Sequence, residues 1–255
     1  GEKICNYSRA SRKDLRNSVV AARSGFNDWS AKTAYERGQI LYRLAEMLEG
    51  RKEQFINEVY ISTKQSKDSC RKEVVKSIDR IIYFAGFCDK WMQLTGTVNP
   101  VQAGYFNFSV PEPTGITGII LPDTLSFLPA VSRIAAVITS GNSCIVIANE
   151  KSPLPVLTLS EVIATSDFPA GVINILTGNK SEIIPHLAAH FDVNAIDYCD
   201  SNIETSKNIQ VLCANNVKRF HSLKDHDWYS SAQNENLREI EKFIEIKTVW
   251  HTMGM

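Results

Sequence analysis

The chain has 255 residues, and its 28 basic and 28 acidic side chains give a formal net charge of zero. Hydrophobic residues make up 44% and charged residues 22%, which is ordinary for a soluble globular protein. A balanced charge without a basic stripe argues against a nucleic-acid partner and against an anionic membrane surface. The longest apolar runs, such as residues 143–148, are too short to span a bilayer.

Six cysteines are spread along the chain without a close pair: Cys5, Cys70, Cys88, Cys144, Cys199 and Cys213. Zinc ligands usually lie two to four residues apart, and no cysteine has a cysteine or histidine at that spacing. We therefore predict no metal site, and we expect reduced, mostly buried thiols in a cytoplasmic protein. No signal peptide is recognisable, and the start at Gly1 instead of Met suggests a fragment of a longer polypeptide.

Residues 1–94 have the pattern of amphipathic helices. Apolar residues recur every three or four positions over residues 40–48, which predicts one helical stripe. Ser30 is the candidate N-terminal cap of that helix, and Gly50 is its candidate end. A second stripe over residues 74–85 predicts another amphipathic helix, and packing is the expected role of both.

The pattern changes to that of a hairpin over residues 96–111. Side chains alternate between polar and apolar over residues 105–110, which is typical of a strand. The run 96–101 precedes it, and a turn is predicted at Ala103-Gly104. A hairpin with this many aromatic residues outside the main sheet needs a cover from another domain or subunit.

The stretch 113–178 organises the rest of the chain. Short β-branched runs at residues 114–121, 143–148 and 172–176 alternate with helical segments, which predicts a parallel sheet covered by helices. Such continuous apolar strands are buried on both faces. The predicted fold class is therefore α/β.

The same alternation continues towards the end of the chain. Further elements are predicted in the order helix, strand, helix, strand at residues 180–190, 195–198, 203–213 and 217–221. Residues 222–235 are polar and rich in turn formers, which indicates a linker. A short helix near residues 237–243 then leads into a terminal strand. A lone terminal strand tends to join an existing sheet edge, in this chain or in a neighbouring molecule.

The string EPTGITGIILPDTLS at residues 112–126 resembles the EPxGVxGxIxPWNFP pattern of the aldehyde dehydrogenase superfamily. The match continues without a gap through positions of the coenzyme domain: Gly141, Asn142, Glu150, Pro153, Leu154, Glu161, Pro169, Gly171, Asn174 and Gly178. The resemblance implies a Rossmann-like parallel sheet. It also implies that the aromatic hairpin and the terminal strand are oligomerisation elements.

The resemblance implies a division of the chain into three parts. Residues 1–221 would form a coenzyme domain, with helices over 1–94, the hairpin over 96–111 and the α/β sheet over 113–221. Residues 222–235 would be a linker in place of the family's catalytic domain. Residues 236–255 would hold a terminal helix and the oligomerisation strand.

The resemblance fails at the positions where the family holds its working groups. The oxyanion-binding Asn of the family is Thr124 here, whose hydroxyl is shorter than an amide. The Lys that contacts the adenosine ribose is Ile147, which donates no hydrogen bond, so that only Glu150 remains of that contact. Asp200 replaces a glycine that faces the dinucleotide, and it adds bulk and negative charge there. We expect these four positions to be vestiges of a cofactor site.

No other residue is predicted to restore catalysis. The family's nucleophilic Cys and its Glu base belong to a domain that is absent after Phe220. Cys199, near the end of a strand, is expected to be a buried structural thiol. His186 and His190 have a spacing that suits a metal, but no acidic or sulfur ligand accompanies them.

Three further polar residues are expected to have structural or solvent roles. Asp123 is predicted to cap the helix that follows it. His221 and His226 are predicted to be solvated. Gly178-Asn179-Lys180 lacks the second glycine of a GxGxxG phosphate fingerprint.

The chain is therefore expected to be a non-catalytic module of a larger aldehyde dehydrogenase polypeptide, without NAD as a cofactor. It most resembles the C-terminal domain of the family 16 aldehyde dehydrogenases, and its expected role is oligomerisation and structural support. The partner would be a second copy or an aldehyde dehydrogenase domain of the same polypeptide. The predicted interface consists of Tyr105, Phe106, Phe108, Ile244, Ile246, Val249 and Trp250.

Two alternatives stay open at this point. One is a module that binds NAD(P) weakly through Glu150 and the helix start near Asn179, or that binds another protein. The other is a part of an active NAD-dependent aldehyde dehydrogenase whose chemistry lies in another domain.

Overall fold

The computed structural model describes residues 3–102 and 104–253, which form a main sheet covered by helices and a second, smaller sheet. The helices are α1 (Arg12–Ala31), α2 (Ala34–Gly50), α3 (Lys52–Thr63), α4 (Lys67–Ala85), α5 (Trp91–Thr95), α6 (Leu128–Thr139), α7 (Leu154–Ala164), α8 (Lys180–Ala189), α9 (Ile203–Ala214), α10 (Ser231–Asn234) and α11 (Arg238–Glu241). The strands are β1 (Thr97–Asn99), β2 (Tyr105–Pro113), β3 (Ile116–Ile120), β4 (Ser143–Ile147), β5 (Ile173–Leu176), β6 (Ala195–Tyr198), β7 (Arg219–Ser222) and β8 (Ile244–Thr252).

These elements confirm the predicted α/β class with N-terminal helices and a parallel sheet. Ala103, on which part of the predicted hairpin turn falls, lies outside the described residues. Within the described ranges, no helix combines the length and the apolar character needed to cross a membrane.

The start of α2 differs from the prediction. Thr33 caps α2, and Thr33 and Glu36 form a reciprocal capping box. Ser30 lies inside α1, where its hydroxyl is 3.4 Å from the carbonyl oxygen of Asn27. The prediction of Ser30 as the cap is wrong because only Thr33 has a carboxylate three residues later on the same helix. The predicted end at Gly50 is confirmed.

The main sheet has five parallel strands in the order β5-β4-β3-β6-β7. Helices α1, α8 and α9 pack on one face, and α6 and α7 pack on the other, with α2 to α4 as an outer layer. Every residue of β3 and β4 is buried, as expected for central strands covered on both faces. One apolar core lies on each side of the sheet.

Helix α1 reaches the sheet through a contact between two glycines. A Cβ atom on Gly25 would lie 2.4 Å from the carbonyl carbon of Gly171. Gly171 itself has a φ of +84°, and a Cβ atom there would lie 2.2 Å from the oxygen of Ala21. Only glycine allows this approach of backbone to backbone.

The second sheet is antiparallel, has the order β1-β2-β8 and stands apart from the main sheet. Strand β8 pairs with β2 of the same chain along nine residue pairs, from Tyr105 with Thr252 to Pro113 with Ile244. The terminal strand therefore joins the hairpin within the chain, which is one of the two outcomes that the sequence left open.

Residues 222–235, predicted to be a linker, pack against α4. The side chain of Trp228 is buried, and its carbonyl oxygen accepts a hydrogen bond from Arg80 Nη2 at 3.2 Å. Glu235 pairs with Lys76 Nζ at 2.6 Å. The polar composition concealed this packing because polar side chains such as His226 and Asn234 contribute to it through hydrogen bonds.

Candidate functional site

The four predicted vestigial positions lie at or just beyond the carboxyl ends of strands in the main sheet, where ligands of open α/β sheets bind. A cavity of about 420 Å³ opens there between α8 and α9. We call it the crevice. Its lining is Ile120, Asp123, Glu150, Asn179, Lys180, Ser181, Ile184, Pro185, Tyr198, Asp200, Asn202, Thr205, Asn208, Ile209 and Leu212.

Two of the four vestigial positions reach the crevice and two do not. Glu150 and Asp200 are part of its lining. Thr124 is exposed on the loop after β3, outside the lining. Ile147 is fully buried in the core on the side of α1 and α8. The structure therefore separates positions that the resemblance had grouped.

Lys180, at the start of α8, occupies the crevice with its side chain. Its ammonium group donates to the carbonyl oxygen of Leu121 at 2.6 Å and to Asp123 Oδ1 at 2.8 Å. Asp200 Oδ2 lies 3.9 Å from the same nitrogen. Lys180 was not among the predicted site residues, although its position directly after the turn that follows a buried strand is a signal in the sequence.

The start of α8 is already satisfied by groups of the protein. The carboxylate of Glu150 accepts a hydrogen bond from the backbone N–H of Lys180, and Asn179 Oδ1 accepts one from Ser181 N at 3.0 Å. A carboxylate at this position is favourable because the N-terminus of a helix carries partial positive charge. The backbone N–H of Glu150 in turn donates to Asp123 Oδ1 at 2.9 Å.

The charges of the crevice are therefore unequal. Its lining contains the carboxylates of Asp123, Glu150 and Asp200, and Lys180 is the only lysine or arginine among the lining residues. The one ammonium group is shared between two of these carboxylates. A ligand with its own negative charge would meet a surplus of carboxylates here.

Asp123 does not cap the following helix, so that prediction is wrong. The cap of α6 is Glu73 from α4, whose Oε1 accepts from Phe127 N at 2.7 Å and from Leu128 N at 3.1 Å. Asp123 lies too far before α6 and pairs with Lys180 instead. Burial raises the pKa of the Glu73 carboxyl, and the amide donors partly oppose that rise.

A buried ion cluster lies beneath the sheet and ties the C-terminal segment to the core. Arg133 on α6 donates from Nε to Asp197 Oδ2 at 2.6 Å and from Nη1 to Glu239 on α11. Burial alone would lower the pKa of Arg133, but the two carboxylates more than offset it and raise the pKa. Burial also opposes ionisation of Glu239, yet Arg133 and Lys242 lower the pKa of that carboxyl.

Cys199 has the properties of a protonated structural thiol. It is buried, with its Sγ 3.8 Å from Asp197 Oδ2. Burial and the neighbouring Asp197 raise the pKa of the thiol well above its usual value. His186 lies on α8 and His190 directly follows its last residue. Among the described residues, no group of three or more His, Cys, Asp or Glu side chains could hold a metal.

His221 and His226 are half-buried and hydrogen-bonded, so the prediction that both are solvated is wrong. His221 Nε2 is 2.8 Å from the carbonyl oxygen of Lys242, and His226 Nε2 is 2.8 Å from Asn234 Oδ1. Burial lowers the pKa of both imidazoles. Both histidines therefore anchor the segment that follows β7.

The antiparallel sheet exposes apolar side chains on both of its faces. Tyr105 and Trp250 share one face, with ring centroids 6.0 Å apart, and Ile246 lies on the same face. Phe106, Phe108 and Val249 lie on the other face. The exposed fraction is 43% for Phe106, 54% for Ile246 and 59% for Trp250.

Ile244 differs from the other predicted interface residues. It is 4% exposed and packs in the core of its own chain. It therefore cannot present its side chain to a partner, and its place among the predicted interface residues is wrong. The strand pattern concealed this because β8 begins inside the core and only then extends away from it.

The fold and the sequence together define the family. The model of the aldehyde dehydrogenase family matches residues 1–223, which is most of the chain. The chain therefore belongs to the aldehyde dehydrogenase family.

The alignments with similar proteins extend over most of this chain but over only part of each similar protein. A cytosolic 10-formyltetrahydrofolate dehydrogenase of Xenopus laevis is 33% identical over 86% of this chain and 25% of its own length. An omega-crystallin of Enteroctopus dofleini is 28% identical over 86% of this chain and 44% of its own length. The chain thus spans less than half of these relatives.

Solved structures likewise match most of this chain and less than half of their own length. PnpE of Pseudomonas sp. WBC-3 is 28% identical with a TM-score of 0.83, covering 88% of this chain and 45% of its own. A betaine aldehyde dehydrogenase of Staphylococcus aureus, in complex with NAD+, is 26% identical with a TM-score of 0.83 and the same coverage. The fold found here is that of the aldehyde dehydrogenases over this part of their length.

Proposed function

We propose that this chain is a non-catalytic module of the aldehyde dehydrogenase family that serves assembly. The observation that carries this proposal is the β1-β2-β8 sheet, which stands apart from the main sheet with aromatic side chains exposed. The partner is a second copy of the chain or an aldehyde dehydrogenase domain of the same polypeptide.

The sheet has the surface expected of an interface. Five of its large apolar side chains are at least 40% exposed: Val98, Tyr105, Phe106, Ile246 and Trp250. Exposed apolar groups on both faces of a small sheet are unfavourable in water and are typical of a surface that a partner covers. The outer edge of β8 has no neighbouring strand in the described part of the chain, so it also offers free backbone groups.

The crevice supports a role without nucleotide chemistry. Dinucleotides need donors for two phosphates, and helix starts usually supply them. Here Glu150 takes the N–H of Lys180, and the Lys180 ammonium is paired with Asp123 and Asp200. The residues present do not fit a dinucleotide. The phosphates of a dinucleotide would need the N–H and the ammonium group of Lys180, and these donors are already bonded to the protein's own carboxylates.

The connection between β7 and β8 supports the absence of catalysis. The family places a catalytic domain between the coenzyme sheet and the terminal strand, and here a short packed segment joins them. This internal loss underlies the likeness to the C-terminal domain of the family 16 aldehyde dehydrogenases. A complete coding sequence with a fuller family copy before this module would support that assignment, and its absence would refute it.

A cytoplasmic location is part of the same proposal. All six cysteines are free thiols, and five of them are buried. Free thiols suit a reducing compartment. Cell fractionation with an antibody against the module would test this, and recovery in a secreted or organellar fraction would refute it.

Sedimentation equilibrium tests the assembly role directly. We expect a dimer or larger species that dissociates when Phe106→Ser and Trp250→Ser are combined. The matched control combines Tyr35→Ser with Tyr60→Ser, which removes two exposed aromatic rings from α2 and α3. Equal loss of association in both double variants would contradict an interface on the β1-β2-β8 sheet.

A strictly monomeric chain would exclude a homo-oligomer. The partner would then be the other aldehyde dehydrogenase domain, and the same variants in the complete polypeptide should separate the two domains in limited proteolysis. Unchanged proteolysis there would leave the sheet without any assembly role and would refute the proposal.

The size of the crevice favours a second candidate, a module that binds NAD(P) weakly although its phosphate donors are already engaged. Its volume and the apolar walls of α8 and α9 favour a flat organic group. Calorimetry with NAD and NADP distinguishes the assembly module from the NAD(P)-binding module. A Kd below about 1 mM would favour the NAD(P)-binding module. An aldehyde-dependent NADH signal from the chain alone would refute the non-catalytic proposal altogether.

A further inference from the structure

A second concave surface lies between the first turns of α1 and the last turns of α8. We call it the basic groove. It has a volume of about 720 Å³, and none of its lining residues belongs to the crevice. Its lining is Arg12, Lys13, Leu15, Arg16, His186, Ala189, His190 and Phe191.

The groove is positively charged, and its cations are available. Arg12, Lys13 and Arg16 are exposed, and no carboxylate is among the lining residues. Three acidic side chains lie nearby: Asp14 accepts from Ser11 N at 2.8 Å, Glu182 pairs with Arg9, and Asp192 follows Phe191 and acts on His190, where it partly opposes the lowering of the imidazole pKa by burial. Within the described ranges, the three cations make no ion pair with another side chain of the chain.

Stability of the fold does not account for these cations. Arg12 and Lys13 lie in the first turn of α1, where the helix dipole already places positive charge, and Arg16 lies one turn further along. Cations at that end of a helix are unfavourable, and acidic residues are preferred there. The positions of Arg12 and Lys13 are therefore unfavourable for the helix, and an anionic group bound in the groove would offset this effect.

Apolar groups accompany the cations. Leu15 is buried at the base of the groove, and the ring of Phe191 is part of the lining although Phe191 is 78% exposed. Phe191 also lines a neighbouring depression that contains Val217, which is 93% exposed. An exposed aromatic ring beside arginines has the composition of an energetically important centre of a protein–protein interface.

We propose that the basic groove docks an acidic polypeptide segment that carries an apolar side chain next to its carboxylates. The carboxylates would pair with Arg12 and Arg16, which lie one helical turn apart on α1. The apolar side chain would cover Phe191. A free phosphate fits less well because it would leave the apolar part of the groove uncovered. This role is independent of the β1-β2-β8 sheet.

Fluorescence anisotropy with a defined probe tests the proposal. The probe is a fluorescein-labelled peptide with four glutamates around one Leu and one Phe. One control peptide replaces the glutamates by glutamine, and another replaces Leu and Phe by serine. Each control peptide should bind at least about tenfold more weakly, and the affinity of the probe should fall as salt rises.

Substitutions in the chain test whether the probe peptide binds in the basic groove. Arg12→Ser combined with Arg16→Ser should weaken binding of the probe about tenfold, and Phe191→Ser should weaken it severalfold. The matched control combines Arg43→Ser with Lys207→Ser, which removes two exposed cations from α2 and α9. The control should bind the probe as the unaltered chain does. Circular dichroism and thermal unfolding confirm that each variant is folded.

Three results would overturn the proposal. The first is equal weakening in both double variants, which would indicate attraction to the overall charge only. The second is equal binding of the glutamine peptide. The third is tight binding of inorganic tripolyphosphate with no binding of the acidic peptide, which would make the groove a site for phosphoryl groups.

Discussion

The buried ion cluster offers the sharpest test of how the C-terminal segment is held. We expect Arg133→Met to destabilise the chain strongly. Arg133 is 1% exposed and Asp197 is fully buried, so removal of the guanidinium leaves a carboxylate in the core without its partner. Glu239, also buried, loses its Arg133 hydrogen bond and retains Lys242. Methionine fills most of the volume, so the effect isolates the charge.

The expected magnitude follows from the cost of an unpaired buried charge. Breaking a buried ion pair by removal of one partner costs about 3–5 kcal/mol. For a chain of this size, each kcal/mol lowers Tm by about 2–4 °C. We therefore expect Tm to fall by roughly 6–20 °C. Replacing all three charged groups, as Arg133→Met, Asp197→Asn and Glu239→Gln together, should recover much of the loss because no buried charge is then left unpaired.

Urea unfolding followed by circular dichroism measures the change in the free energy of unfolding. The control is Arg219→Met, because Arg219 pairs with Glu245 at 2.7 Å with both side chains partly exposed. Exposed pairs contribute about 0–1 kcal/mol. If Arg133→Met costs no more than Arg219→Met, or if the triple variant is less stable than Arg133→Met, the reasoning about the buried charge fails.

Three further predictions concern the crevice, the glycine contact and pH. Lys180→Met should lower the free energy of unfolding by about 1–3 kcal/mol, because Asp123 loses its charged donor; calorimetry should still detect no NAD binding. Gly25→Ala should cost about 1–3 kcal/mol or more, since its Cβ would clash with Gly171; thermal unfolding measures this. Burial lowers the pKa of His221 and His226 below 6.5, so the unfolded chain takes up protons first on acidification. The free energy of unfolding, measured with urea, should therefore decrease as the pH is lowered from about 7.5 to about 5.5.

Each of these has its own control and its own contrary result. Lys207→Met, on the exposed side of α9, should be nearly neutral, and an equal loss there would remove the special role of Lys180. Gly50→Ala should be tolerated, because a Cβ atom at Gly50 meets nothing within 4 Å. His221→Asn should reduce the pH dependence, and an unchanged slope would exclude His221 as its source.

The sequence predicted the scaffold well because the relevant signals are local and periodic. The strand predicted at residues 195–198 is observed at Ala195–Tyr198, and the helix predicted at 203–213 is observed at Ile203–Ala214, one residue longer. A buried parallel strand needs a continuous apolar run, and a run of this kind is visible without knowledge of its neighbours. The true cap of α2 is also a local signal, because Thr33 is followed three residues later by Glu36, the pattern of a capping box.

The amino-acid sequence by itself determined the order of the elements, the parallel sheet and membership of the family. Only the tertiary structure decided which charged groups meet. Lys180 and Asp123 are 57 residues apart in the chain, Glu73 and Phe127 are 54 apart, and Arg133 and Asp197 are 64 apart. Periodicity carries no information on such pairs, because a side chain's partner depends on which strand ends and helix starts the fold brings together. For this reason Lys180, absent from the sequence-based site, proved to be the central residue of the crevice.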